Sequence, residues 1–385
     1  MDYDLIIVGG GLAGLALAVA LRRTRLKIAV VEARTPVRPA GWDARIYAVS
    51  PSNARFLDDI GIWRHLDAAR CQPVRKMSVF GDRGGKLEFS AYDSGVDVLA
   101  WIVESSLLQR ELWETARRQG NVDLLCPAVS ALLDIGAGEA VLELADRSSL
   151  SARLIVAADG ADSWTRAAAG IDVDFLDYGQ MGVAANFTTG QPHRETAWQW
   201  FRADGILAWL PLPGDLISIV WSTPTAHAHE LLALDPEEFC ARVAGAGGYR
   251  LGGLDPATPP AAFPLRLMRA PRTVAPRLAL IGDAAHTIHP LSGHGINLGF
   301  QDARSLAGTL AACPEHVDCG NVRWLRRHER ARSEEVMALQ SVTHGLQRLF
   351  GASDALAPAV LRNFGMNLFD RLPVIKDALA RYAMG

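Results

Sequence analysis

The chain has 385 residues, 49% of them hydrophobic, and a formal net charge of −3. A chain this long buries about 75% of its unfolded surface, enough for one large core or two coupled domains, and its near-neutral balance excludes an electrostatic footprint for nucleic acid. Cys71, Cys126, Cys240, Cys313 and Cys319 are scattered, odd in number and without the CxxC spacing of zinc sites, so they read as free thiols of a reducing compartment and no metal is expected.

Asp4 to Val8 is a short apolar run of the kind buried in parallel sheets. Leu12 to Thr24 has helical composition, and Lys27 to Glu32 reads as a second strand. Between strand and helix stands Gly9-x-Gly11-x-x-Gly14. In a βαβ unit of about 30 residues this fingerprint marks dinucleotide binding. Gly9 makes the tight turn, Gly11 lets the backbone approach a pyrophosphate, and Gly14 lets helix and strand pack closely. The helix N-terminus then faces the phosphates. Glu32 comes 18 residues after Gly14, where a carboxylate binds a ribose 2′-hydroxyl.

The stretch from Leu5 to Leu21 holds 17 residues without a charge and resembles a signal-peptide core. Its acidic flank (Asp2, Asp4) and its four glycines argue against that reading. It is also shorter than the roughly 20 residues a spanning helix needs. No later segment is long and apolar enough to span a bilayer, so the chain is expected to be soluble or peripheral.

Residues 74–90 alternate as a strand pair around Asp82-Arg-Gly-Gly85. Residues 195–223 alternate likewise and carry Trp198, Trp200, Phe201, Trp209 and Trp221. Both segments suggest an antiparallel sheet inserted into the nucleotide domain. The plain reading of the rings is core packing, while strand alternation leaves one subset free to face a ligand. His227-x-His229 reads as a loop coincidence rather than a metal site.

Farther along, an apolar strand, Arg277 to Ile281, runs into Gly282-Asp283 and then into the segment from Pro290 to Gly295. An Asp at a strand end accepts hydrogen bonds from a polyol, and the following turn offers backbone N–H groups at a helix start. That suits the ribityl chain and ring of a flavin; nicotinamide has no ribityl chain. Beyond residue 300 the composition turns helical, and the mixed charges of Asn321 to Arg332 read as a solvated helix face. The apolar residues from Leu346 to Phe369 either pack on the core or leave a patch for a partner or membrane.

Three blocks therefore stand in order: Gly9-x-Gly11-x-x-Gly14 with Glu32, Ala158-Asp159-Gly160 through Arg166 after the apolar run Leu154 to Ala157, and Gly282-Asp283 through Asn297. This set resembles the single-component (class A) flavin monooxygenases related to aromatic hydroxylases. Asp43 to Ser50, Trp101 to Gln109, and the ending Arg362-Asn-Phe-Gly-Met with Leu372-Pro-Val-Ile-Lys376 resemble the ubiquinone-biosynthesis hydroxylase branch. The resemblance covers essentially the whole chain.

It implies an α/β fold: a Rossmann-like FAD-binding domain (residues 1–73, 97–175 and 266–320), an inserted antiparallel substrate sheet (74–96 and 176–265) and a helical C-terminal region (321–385). It implies that Gly9, Gly11, Gly14 and Glu32 hold the ADP half of FAD, that Arg45 reaches the phosphate region and that Gln109 supports the cofactor. Asp159 and Gly160 lie in the motif associated with both FAD and NADPH, Asp283 binds the ribityl chain, and Pro290, Gly293, Gly295, Ile296 and Asn297 flank the isoalloxazine. Two departures stand out. The branch commonly reads Gly-Gln-Gly where this chain has Gly293-His294-Gly295, and it often carries Arg where Ser106 stands.

The implied reaction reduces FAD with NADPH or NADH, forms a C4a-hydroperoxide with O2 and transfers one oxygen to an electron-rich ring. With one dinucleotide fingerprint in the chain, the nicotinamide cofactor is expected to bind transiently. His289 and His294 are the titratable groups nearest the expected ring and the candidates for proton handling. A polyprenylated phenol or benzoquinol would carry about 0.8 kcal/mol of apolar transfer per CH2 in its tail. It would therefore call for peripheral docking at the inner face of the membrane, or for a ubiquinone-biosynthesis complex, from a cytoplasmic enzyme. Two alternatives stay open: a flavin hydroxylase of a soluble aromatic or secondary metabolite, and a non-catalytic FAD-binding scaffold.

Overall fold

A computed structural model describes residues 1–37, 39–82, 84–288 and 295–351. His289, Pro290, Gly293, His294 and the chain from residue 352 onward lie outside the described residues.

The nucleotide domain is built on a sheet whose strands run in the order Leu278–Leu280, Ser149–Ala157, Tyr3–Val8, Ile28–Val31 and Val122–Leu125. All four pairings are parallel. Both faces of such a sheet are covered, so its strands are apolar throughout: Ile6, Ile7, Ile28, Val30, Ile155 and Val156 are fully buried. The chain leaves Tyr3–Val8 toward Ile28–Val31 on one side, and Ser149–Ala157 pairs on the other. The C-terminal end of Tyr3–Val8 is thus a crevice at a switch of direction, the usual ligand position of open parallel sheets. The helix Leu12–Ala20 is apolar all round because it is packed all round; seven of its nine residues are buried.

Two strands absent from the sequence reading, Ser130–Ile135 and Ala140–Leu144, form an antiparallel extension on Ser149–Ala157. A small sheet of Ile46–Val49, Ala100–Glu104 and Gln72–Val74 joins this domain to the second one.

The second sheet runs His286–Thr287, Ala261–Arg269, Phe175–Thr189, Leu216–Pro224, Gly205–Leu212, Thr196–Arg202, Lys76–Phe80 and Lys86–Ser90. Among these pairings, only that of Thr196–Arg202 with Lys76–Phe80 is parallel. One face is covered by the helices Thr225–Ala233 and Pro236–Ala246, whose Ala228, Leu231, Phe239 and Val243 pack on Phe187, Leu207, Trp209, Ile219 and Trp221. The second helix starts where its sequence says it should: Asp235 caps the N–H groups of Glu237 and Glu238, and Pro236 takes the first position.

The tryptophans settle on this covered face. Trp209 and Trp221 are fully buried, and Trp198 and Trp200 pack on the same cluster. Phe201 points the other way, into a cluster with Val79 and Ile206. Two sequence expectations need correction. His227 lies on the helix Thr225–Ala233, not in a loop, and its Nδ1 meets Thr223 Oγ1 at 2.7 Å. The charged run from Asn321 belongs to the helix Val322–Gly351, but it is not simply solvated, because His328 and Arg332 are buried against the nucleotide domain. Charge alternation reports average exposure along a helix and does not reveal a buried ionic partner. Among the described residues no helix is long and apolar enough to cross a membrane.

Candidate active site

The glycine loop forms as its sequence requires. Gly9 has φ of +111°, and a Cβ there would lie 2.4 Å from the Ala158 carbonyl oxygen. A Cβ on Gly14 would lie 2.2 Å from the Gly9 carbonyl oxygen. These glycines let loop, helix and neighbouring strand meet backbone to backbone. Gly11 is different: nothing lies within 4 Å of where its Cβ would be. The helix Leu12–Ala20 begins there with no side-chain cap and no acidic residue in its first turn. Its first N–H groups are thus uncapped beside an open space, and such a terminus attracts an anion.

Glu32 follows the strand Ile28–Val31. Its Oε2 accepts the Gly10 N–H at 2.6 Å and its Oε1 accepts the Arg34 N–H at 2.9 Å. Gln109, on the helix Ser105–Arg117, donates from Nε2 to the Gly10 carbonyl at 2.9 Å. Gly10, which the fingerprint leaves unspecified, is therefore clamped from both sides.

The Asp159-Gly160 block is organised inward. Asp159 Oδ2 accepts from the Thr165 N–H and from Thr165 Oγ1, each at 2.9 Å, and Oδ1 accepts from Ser163 Oγ. Ser163 caps the helix Trp164–Ala168 by accepting the Arg166 N–H at 2.9 Å, and Asp159 backs that cap, while Gly160 has φ of +90° and open space above it. Arg166 carries the link onward. It is buried, and its Nη1 donates to the Ala284 carbonyl at 3.0 Å. Burial pushes its pKa down, against the pull of Asp159 and Asp162. This contact joins the second and third sequence blocks, and no spacing rule announces it.

Asp283 sits in the turn Gly282–Ala284 that follows the strand Leu278–Leu280. Its side chain is exposed, yet its pKa is raised, above all by desolvation; His286 and Arg45 oppose the shift and Asp302 adds to it. Accessibility and desolvation agree if the carboxylate looks into a recess walled by protein rather than onto an outer surface. Arg45 is exposed and makes no side-chain ion pair among the described residues. Tyr47, two residues on, lies in the strand Ile46–Val49. Burial raises its pKa, Arg45 opposes, and Asp283 and a hydrogen bond with Ser105 enter after them. Tyr47 thus stands near Arg45 and Asp283, and the sequence reading did not single it out.

The segment bearing Arg45 is held by carboxylates. Asp43 accepts the Arg45 N–H at one oxygen and the Ser106 N–H at the other, each at 2.9 Å, so it caps the helix Ser105–Arg117 from outside. Ser106 contributes its backbone N–H here. Glu104 is 1% exposed, accepts the Asp43 N–H at 2.7 Å and holds Arg70 through two bonds of 2.6 Å.

Asn297 lies in the first turn of the helix Gly295–Ala311 and is buried. Its Oδ1 accepts the Ser50 N–H at 2.9 Å and Asn53 Nδ2 at 3.0 Å, and its Nδ2 donates to the Ala48 carbonyl at 2.8 Å. Its amide therefore ties the strand Ile46–Val49 to this helix. Ile296 is half-buried against the nucleotide core, and no heavy atom lies within 4 Å of a Cβ on Gly295. Pro290, Gly293, His289 and His294 fall outside the described residues.

Across from this assembly stands the face of the second sheet opposite its two helices. Alternation with the buried Val183, Ala185 and Phe187 puts Gly182, Ala184 and Asn186 on it, and their partners are Ser222, Val220 and Ser218. Asn186 Nδ2 donates to the Asp43 carbonyl at 2.9 Å. Leu210 and Leu212 of this face cluster with Trp42, Ile46 and Ala48. The two domains thus meet along residues 42–48. The Phe263 ring covers Gly182, 2.7 Å from the position of a Cβ, and stays 41% exposed.

These donors and spaces fit FAD: an uncapped helix N-terminus beside an open glycine, a carboxylate at the end of the second strand, and a recessed Asp283 near the exposed Arg45. Residues 2–333 match the family model described as FAD binding domain. The 3-demethoxyubiquinol 3-hydroxylase of Escherichia coli is 32% identical over 99% of this chain and 98% of its own length. The ubiquinone hydroxylase UbiL of Rhodospirillum rubrum is 34% identical over 99% of this chain and 89% of its own. Among solved structures, p-nitrophenol 4-monooxygenase PnpA from Pseudomonas putida superposes with a TM-score of 0.80 at 17% identity, covering 100% of this chain and 98% of its own, a likeness of fold. Blocks, fold and relatives agree, and the chain belongs to the FAD-binding-domain family of flavin monooxygenases, among the ubiquinone-biosynthesis hydroxylases.

Proposed function

We propose that this protein hydroxylates the aromatic ring of a polyprenylated phenol or benzoquinol in ubiquinone biosynthesis, with FAD as bound cofactor and NADPH or NADH as transient reductant. The observation that carries the reading is the open, uncapped glycine loop standing in one crevice with a recessed Asp283, across from a sheet face of small side chains. Bound flavin, once reduced, supplies the activation of O2 and the transferable oxygen; the protein supplies binding, orientation and exclusion of water.

In this reading Gly9, Gly11 and Gly14 present the helix N-terminus to the pyrophosphate, and Glu32, tied to Gly10, meets the ribose. Gln109 fixes the loop, Arg45 meets the phosphates, and Asp283 accepts from the ribityl chain. Gly160 leaves space beside the glycine loop for the approaching reductant, while Asp159 holds the turn. Pro290, Gly293, Gly295, Ile296 and Asn297 flank the ring, and His289 and His294 handle protons near it. The residue groups 1–73, 97–175 and 266–320 act as the cofactor domain, 74–96 and 176–265 as the substrate domain, and 321–385 as the helical C-terminal region. The Phe263 ring, lying over Gly182 and 41% exposed, is the aromatic wall offered to the substrate ring. A prenyl tail too apolar to leave a bilayer freely makes peripheral membrane or complex association part of the proposal.

The test is NADPH oxidation by the purified yellow protein, with and without a short-chain prenylphenol, followed by mass analysis. Stimulated oxidation and a product heavier by one oxygen atom are expected. Bound FAD without stimulation or product would overturn the prenylphenol assignment.

A further inference from the structure

The buried side of the Gly282-Asp283 turn holds a charge cluster that the proposed chemistry does not use. Asp302, on the helix Gly295–Ala311, is 2% exposed. Its Oδ2 accepts the Gly282 N–H at 3.0 Å and His286 Nε2 at 2.7 Å, so one carboxylate oxygen holds both ends of the turn. Its Oδ1 accepts Arg332 Nε at 2.8 Å. Arg332 comes from the helix Val322–Gly351, is 8% exposed, and also donates from Nη2 to Gln301 Oε1 at 3.0 Å and from Nη1 to Glu335 Oε2.

A carboxylate buried this deeply needs a charged partner. His328 does not serve: it bonds Ser305 Oγ at 3.0 Å, and burial pushes its pKa down to about 4. Arg332 supplies that partner as a guanidinium. Asp302 itself stays ionised, since His286 and Arg332 beside it outweigh its desolvation and lower its pKa.

The same helix face makes three further contacts around the turn. Val336 and Leu339 pack with Ile288 and Leu298, which flank residues 289–294 on either side. Gln340 Nε2 donates to the carbonyls of Met268 and Thr287 at 2.9 and 3.0 Å. Arg332, Val336, Leu339 and Gln340 share one helical face by their spacing.

We propose that Asp302 and Arg332 are a positioning pair through which the helix Val322–Gly351 fixes the Gly282-Asp283 turn against the flavin, so that docking of this helix and FAD affinity are one coupled equilibrium. The proposal rests on the flavin lying beside Asp283. Neither residue touches the cofactor; both act through Gly282 and His286.

The full-length apoprotein is titrated with FAD by flavin fluorescence, and thermal midpoints are recorded for apo and loaded forms. Arg332→Gln and Asp302→Asn are each expected to weaken FAD binding by about tenfold, the range of ordinary site-to-site coupling, and to shift the visible flavin spectrum. The double variant is expected to lose little more than either single one, because the two residues act as a unit. Arg332→Lys, which keeps the charge but loses the planar fork to Gln301, is expected to recover part of the affinity. It also carries the test if Arg332→Gln does not fold.

The control is Arg277→Gln. Arg277 is a comparably buried arginine paired with Asp318, at the opposite end of the strand that leads into Gly282. The proposal is overturned if the Asp302 and Arg332 variants bind FAD like the unaltered protein, or lose affinity only in step with Arg277→Gln at equal loss of thermal stability. Failure of the unaltered protein to bind FAD would instead sink the flavin reading itself.

Discussion

Glu32 Oε2 accepts the Gly10 backbone N–H at 2.6 Å, so the carboxylate proposed for the ribose is also the tie between glycine loop and second strand. Glu32→Ala removes both that bond and the one from Arg34. Hydrogen bonds to a charged group are worth about 1.5–3 kcal/mol, and a loss of FAD affinity of that order is expected. Glu32→Gln, which keeps one acceptor oxygen, should fall between. Wild-type affinity in the alanine variant, measured by equilibrium dialysis, would remove Glu32 from the site.

Gly11 and Gly14 separate ligand space from packing. A Cβ on Gly14 would meet the Gly9 carbonyl oxygen at 2.2 Å, so Gly14→Ala is expected to destabilise the apoprotein as well as lose FAD. A Cβ on Gly11 meets nothing within 4 Å. Gly11→Ala is therefore expected to leave the apoprotein's thermal midpoint unchanged while weakening FAD binding. If both variants lower the apo midpoint equally, the open space at Gly11 is not a phosphate seat.

Asp283 is held in a state that disfavours its charge. Desolvation raises its pKa, so the folded chain binds a proton there more tightly than the unfolded chain does. That penalty is absent at pH below the ordinary carboxylate value and is fully present above the raised one. Asp283→Asn removes it. The variant is expected to raise the apo thermal midpoint at neutral pH, to lose that advantage in acid, and to bind FAD more weakly. A lower midpoint at neutral pH would contradict the assignment.

His328 sets a different pH window. Burial pushes its pKa from 6.5 down to about 4, with Asp302 opposing and Arg332 adding. The folded state therefore takes up the proton later than the unfolded state. Stability is fully present above about pH 6.5 and is lost as pH falls toward 4, by about 3 kcal/mol in all. His328→Gln should flatten this part of the pH profile in urea unfolding. An unchanged slope between pH 6.5 and 4 would show that another group dominates acid unfolding.

The parts of this molecule legible in the sequence are those governed by local rules. The βαβ unit announced itself because Gly9, Gly11 and Gly14 answer to backbone geometry within a few residues. The hairpin at residues 76–90 and the strands of 196–224 were readable from alternation. The antiparallel pair Ser130–Ile135 and Ala140–Leu144 went unread, since neither strand has an alternation strong enough to stand out. Which face the tryptophans take was undecidable until the helices Thr225–Ala233 and Pro236–Ala246 were seen to cover them. Arg166 reaching Ala284, and Asp302 reaching Arg332, span separations of 118 and 30 residues. A single sequence carries no signal for a side-chain bond of that kind.

The parallel neighbour of Lys76–Phe80 is Thr196–Arg202, more than a hundred residues later in the chain. During synthesis at roughly 5–20 residues per second, the hairpin of residues 76–90 waits on the order of ten seconds for the strand that covers its edge. Until then it presents an open strand to any passing chain. The protein cannot be divided at the junction of its two sheets into halves that fold separately, because each half would lack strands supplied by the other. Efficient production of the enzyme is therefore expected to depend on chaperone protection of that first hairpin.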